Sequence, residues 1–131
     1  MLPDAVIKDN KKSVVVLVIG ESARSQNFSL YGYQKNTNPY LSETENLSHF
    51  NAVSSATYTT AGVKAILDHK QTNDLYEILP NYLYRNNVEV IWKTTNWGEP
   101  PVHIKNYQNR AALMPDCKGV GCDYDEILLT G

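Results

Sequence analysis

An α/β fold built on a parallel sheet is the class this sequence predicts, and three observations predict it. Val14 to Ile19 is an unbroken run of six apolar residues, four Val with one Leu and one Ile, too short to span a bilayer and too β-branched to favour a helix. Such a run is the pattern of a strand buried on both faces. Val88-Glu-Val-Ile-Trp-Lys-Thr-Thr95 reads as a second strand. Between the two, apolar residues recur at helical spacing, first Val63, Ile66 and Leu67, then Leu75, Ile78, Leu79, Tyr82 and Leu83. Strand, helices, strand in that order predicts a right-handed parallel crossover.

The 131 residues allow one domain, long enough to bury a core. With 12 Lys+Arg against 14 Asp+Glu the net charge is -2, and no basic block is present, so the chain carries no nucleic-acid footprint. Met1-Leu-Pro-Asp4 lacks the charged start and apolar middle of a signal peptide.

In chain order, residues 1–12 are mostly polar and read as a leader or linker into the first strand. That strand stops at Gly20, and a carboxylate, a hydroxyl and a guanidinium follow at once in Glu21, Ser22 and Arg24. The C-terminal edge of a parallel sheet is where open α/β folds bind ligands. For Ser22 and Arg24 the plainer role is to tie the strand end to its neighbouring loop. Ser22 to Ser29 predicts a short helical turn and Leu30 to Pro39, rich in turn formers and aromatics, an ordered loop. Tyr40 to Leu47 predicts a short helix with Pro39 near its start, and His49 to Val53 a short extended piece.

Ser54 to Thr60 carries five hydroxyls besides that of Tyr58, and Ala61 opens the helical spacing, which puts Thr60 at the N-cap. Either Thr60 only caps the helix, or its hydroxyl faces unpaired N–H groups that would welcome a phosphate. Asp74 to Asn86 is an amphipathic segment in which Pro80 either begins the regular helix or kinks it. After the second strand, Asn96-Trp-Gly-Glu-Pro-Pro101 breaks the chain at the same sheet edge as Glu21, so Asn96 either borders the site or simply forms a turn.

Cys117 and Cys122 flank a Gly-rich loop, and His49, His69 and His103 are scattered without ligand spacing. The cysteines read as a local disulfide, which implies the periplasm or the cell exterior, with two free thiols as the alternative. Asp123 to Leu129 reads as a helix start with acidic residues in its first turn. Two strands are few for a parallel sheet, so residues 13–131 read as the first part of a longer domain.

Several blocks in order resemble one family: Gly20-Glu-Ser-Ala-Arg-Ser-Gln-Asn27, Leu30-Tyr-Gly-Tyr33, Thr37-Asn-Pro39, the hydroxyl-rich segment ending in Thr60-Ala61, Val90-Ile-Trp-Lys-Thr-Thr-Asn96, and the cysteine loop. The chain resembles the phosphoethanolamine transferases of Gram-negative bacteria, of the alkaline phosphatase and sulfatase superfamily. The resemblance implies an alkaline phosphatase/sulfatase-like sheet with flanking helices, incomplete in this chain. It also implies a zinc enzyme of the inner membrane with its catalytic domain in the periplasm, held to the membrane by segments absent from this chain. Phosphoethanolamine would pass from phosphatidylethanolamine to an enzyme threonine and then to lipid A or another envelope acceptor.

By position, Glu21 resembles the family's zinc-binding glutamate, Thr60 the nucleophile and a metal ligand, and Asn96 a residue bordering phosphoethanolamine. A threonine hydroxyl is a poor nucleophile at neutral pH, and a zinc ion beside it lowers its pKa while polarising the phosphoryl oxygen. The chain departs from the family in three places. The aspartate and histidine that complete the zinc site are absent. Ala56 and Ile66 stand near positions where many members have cysteines, and Pro100 stands where a lysine often follows the asparagine. A hydrolase of the same superfamily and a non-catalytic periplasmic binding domain are the competing readings. A sulfatase would need a modifiable Cys or Ser in a characteristic context, and no cysteine lies near Thr60.

Overall fold

The computed structural model describes residues 2–9, 11–68 and 77–130, and they divide into two compact units. Ser13–Ser54 forms one. Met1–Lys12 together with Ser55–Gly131 forms the other.

The Ser13–Ser54 unit holds 3-10 turns at Ser25–Asn27 and Ser29–Tyr31 and one short helix, α1 (Pro39–Glu43). Pro39 opens α1, where its missing N–H and fixed φ suit a first turn. Side chains just before α1 hold the preceding loop. Thr37 donates from Oγ1 to the Asn27 carbonyl at 2.6 Å and accepts from the Ser29 N–H at 3.0 Å, while Asn38 Oδ1 accepts from Ser29 Oγ and from the Leu30 N–H. The chain reverses at Gly32, whose φ of 95° is open to glycine. The rings of Phe28, Tyr31 and His49 pack in sequence, with centroids 6.1 and 5.6 Å apart. The predicted helical turn, ordered loop and short helix are therefore present, with α1 ending at Glu43 rather than Leu47. His49 to Val53 has no regular structure.

The predicted first strand is not one. Val14 to Ile19 makes no ladder, and Val14, Val15, Val16 and Val18 are 78 to 90% exposed. A run without polar side chains is stable as a strand only between hydrogen-bonding neighbours and under cover on both faces. The Ser13–Ser54 unit has no strand among its described residues to pair with it.

In the larger unit, α2 (Thr59–Leu67) turns Val63 and Leu67, one helical turn apart, into a small core with Ile78, Leu113, Cys122 and Ile127. Ile66, predicted on the same face, is 59% exposed. The next helix, α3 (Leu79–Arg85), has Pro80 in its first turn, so the proline begins the helix and does not kink it. Asp74 and Leu75, the predicted start of this segment, lie outside the described residues, as does His69. Of the second predicted strand only β1 (Ile91–Lys93) forms, and it pairs in parallel with β2 (Asn106–Gln108) in the register Ile91 to Asn106, Trp92 to Tyr107 and Lys93 to Gln108. The parallel crossover thus joins β1 to a later segment and not to Val14–Ile19.

Beyond β2, α4 (Arg110–Leu113) is capped by Asn109, whose Oδ1 accepts from the Ala112 N–H at 3.0 Å. Cys117 and Cys122 are disulfide-bonded, with Cα atoms 5.8 Å apart. Asp125–Leu129 is a 3-10 helix, the tighter form of the helix predicted there, and it buries Ile127 completely. Among the described residues no helix is long and apolar enough to cross a membrane.

Candidate functional site

Thr60 stands in the first turn of α2. The helix starts one residue earlier than the hydroxyl pattern suggested: Thr59 is the first helical residue and Tyr58 the N-cap, which makes no side-chain capping bond. Thr60 is exposed, and its Oγ1 donates to the main-chain carbonyl of Gly98, 38 residues away. The hydroxyl, one residue inside the helix start, is thus directed at another segment rather than at the helix's own N–H groups.

Gly98 lies in the loop that leaves β1, two residues after Asn96, so the structure brings the Asn96 loop to Thr60. Gly98 has φ +70°, and a Cβ on it would lie 3.1 Å from Thr60 Oγ1. The positive φ favours glycine there, and a Cβ would crowd the Thr60 hydroxyl. Asn96 donates its N–H to Thr94 Oγ1 at 3.0 Å, and its side chain is exposed.

The base of this loop is a small polar network. Thr94, only 6% exposed, donates from Oγ1 to Glu99 Oε2 at 3.1 Å. Tyr107 on β2 donates its phenol to Glu99 Oε1 at 2.8 Å. Desolvation, reinforced by this bond to a carboxylate, pushes the Tyr107 phenol up to about 12. Sequence reading missed Gly98, Glu99, Thr94 and Tyr107. The Gly-Glu-Pro-Pro stretch signalled a turn, but nothing local to it pointed to Thr60.

Glu21 lies in the Ser13–Ser54 unit, exposed, and accepts from Ser22 Oγ at 2.7 Å. Ser22 has φ +53°, an uncommon conformation for a residue with a side chain and one that collects at functional sites. Arg24 is exposed. The Glu21 carboxylate is a donor of a kind zinc accepts, and a catalytic zinc takes about three protein ligands; Thr60 lies in the other unit. Among the described residues no group of three or more His, Cys, Asp and Glu could hold a metal. His49 packs edge-on against Tyr31, and the exposed His103 donates its main-chain N–H to Asn81 Oδ1.

The family model described as Sulfatase matches residues 13–103. The chain is 46% identical over 127 residues to "Phosphoethanolamine transferase EptA" of Helicobacter pylori (strain ATCC 700392 / 26695), covering 92% of this chain and 24% of that protein. It is 31% identical over 134 residues to the EptA of Escherichia coli (strain K12), covering 94% and 24%. A third relative, "Kdo(2)-lipid A phosphoethanolamine 7''-transferase" of Salmonella typhimurium, is 34% identical over 59 residues, 45% of this chain and 10% of its own. The chain spans about a quarter of the length of the first of these relatives. No solved structure matches significantly.

Proposed function

Because the chain belongs to the sulfatase family, we propose that it carries the nucleophile of a phosphoethanolamine transferase. Its relatives bear that activity in their names. The observation that carries the reading is Thr60: an exposed hydroxyl in the first turn of a helix, oriented by a carbonyl on the loop of Asn96. The positive end of the helix dipole favours a phosphoryl group at such a position.

In this reading phosphatidylethanolamine is the donor, Thr60 takes the phosphoethanolamine, and lipid A or another envelope molecule receives it. The name of the Salmonella relative supports lipid A as the acceptor. Glu21 and Thr60 would each contribute one oxygen donor to zinc, and further ligands would come from residues beyond this chain. A bound zinc would supply Lewis-acid polarisation and a lowered hydroxyl pKa. Thr60 presents the attacking oxygen, and Asn96 borders the headgroup. In this reading the enzyme sits at the inner membrane with this part in the periplasm. The Cys117–Cys122 disulfide suits that oxidising compartment. Residues 13–131 then belong to the first part of the catalytic domain, and residues 1–12 pack with its larger unit.

The test is mass spectrometry of the full-length enzyme after incubation with donor lipid. The added group is expected on Thr60, absent in Thr60→Ala and partly retained in Thr60→Ser, which keeps the hydroxyl. Its appearance on Thr57 or Thr59 would overturn the assignment.

A further inference from the structure

The loop that meets Thr60 is pinned on both sides of its apex. Thr94, at the end of β1, continues the ladder by donating its N–H to the Gln108 carbonyl at 2.9 Å, and its buried hydroxyl takes the Asn96 N–H at 3.0 Å while donating to Glu99 at 3.1 Å. Glu99 is gripped a second time by the Tyr107 phenol of β2 at 2.8 Å. Past it, Pro100 is buried, and the Pro101 carbonyl accepts from Asn81 Nδ2 of α3 at 3.3 Å. The carboxylate of Glu99 thus closes the base of a loop whose apex is Gly98, and the Gly98 carbonyl is the acceptor of the Thr60 hydroxyl.

We propose that Glu99 is a positioning residue for Thr60, acting through the Gly98 carbonyl. A carbonyl only accepts, so the Thr60 O–H points at it and both lone pairs of Oγ1 are turned away from the loop. Free rotation about the Cβ–Oγ bond is removed before a donor arrives. The absence of a side chain at Gly98 belongs to the same device, since a Cβ there would reach 3.1 Å from Oγ1. The contact exists only while Oγ1 keeps its hydrogen. Once the oxygen carries a phosphoryl group, two acceptors face each other and the grip is released.

This role rests on Thr60 as the group-accepting residue. The experiment is single-turnover loading of Thr60 by donor lipid in the full-length enzyme, with rate and half-saturating donor concentration measured separately. Glu99→Ala is expected to slow loading about 10- to 100-fold, the range for a misplaced reacting group, with half-saturation within about twofold of the wild type. Glu99→Gln, which keeps the shape and part of the hydrogen bonding, is expected to recover much of the loss. Tyr107→Phe, which removes one of the two grips, is expected to fall between the wild type and Glu99→Ala. Loading by a folded Glu99→Ala at the wild-type rate would overturn the inference and leave the transfer reading standing. So would a weakened half-saturation with an unchanged rate, which would make Glu99 a donor-binding residue. If Glu99→Ala does not fold, Tyr107→Phe decides by the same criteria. Failure of the wild type to load at Thr60 would overturn the transfer reading and this role with it.

Discussion

Single residues carry the chemistry of this chain through contacts that close long loops. Arg85 at the end of α3 holds Glu77 with a two-pronged fork, Nε to Oε1 at 2.5 Å and Nη2 to Oε2 at 2.9 Å, and reaches Asp4 and the Leu2 carbonyl as well. Its hydrogen bonds hold the Glu77 carboxyl below the usual carboxylate range and raise the guanidinium above its own. A depressed carboxylate stabilises the fold above the unfolded pKa, and that contribution is lost as pH falls through the lowered folded value. The stability difference between the wild type and Glu77→Gln is therefore expected at pH 7 and to shrink on acidification below about pH 4.3, as urea denaturation at several pH values would show. A gap that stays constant would contradict it. Tyr107 works in the opposite sense. A phenol raised to about 12 keeps its proton in the fold after the unfolded chain has lost it, so its contribution is present below the ordinary phenol pKa and lost as pH rises to the folded value. Ultraviolet titration should show one late tyrosine step near 12, missing in Tyr107→Phe.

Among the elements, the short helices owe their limits to residues at their ends. Pro39 and Pro80 open α1 and α3 because a first-turn residue needs no N–H. Asn87, with φ +65°, lets the chain turn away after α3. α4 has four residues and depends on its cap, the Asn109 side chain on the Ala112 N–H. Asn109→Ala should therefore destabilise the larger unit by about 1 kcal/mol, and Asn109→Asp by much less, since aspartate caps as well. Thermal midpoints of the two variants would check the order. All of these end signals are local, and the proline and cysteine positions were legible in sequence for that reason. α2 starts one residue earlier than the hydroxyl pattern suggested, and the Thr60 hydroxyl has a tertiary acceptor, which no local rule anticipates.

For the whole molecule, Val14 to Ile19 is the exception to burial. No charged residue interrupts the stretch between Lys12 and Glu21, and most of its side chains face solvent. A neutral, β-branched, uncovered run invites pairing between copies. Light scattering of the 131-residue chain is expected to show association that grows with concentration and is relieved by Val16→Lys, while equal behaviour of the two would refute it. The sequence by itself determined the α/β class, α2 and α3 through apolar residues one turn apart, α1 and the start of α3 through prolines, the disulfide through two cysteines across a flexible loop, and the family through ordered blocks. Each is written in residues close together along the chain, where periodicity, fixed φ and short loop closure act directly. Only the tertiary structure decided that β1 pairs with β2, whose Asn106-Tyr-Gln108 carries no apolar strand pattern. It alone decided that Gly98 meets Thr60 across 38 residues and that Val14–Ile19 stands uncovered. Strand pairing and long-range hydrogen bonds depend on which distant segments close upon one another, and a run of side chains encodes its own need for a partner without naming the partner.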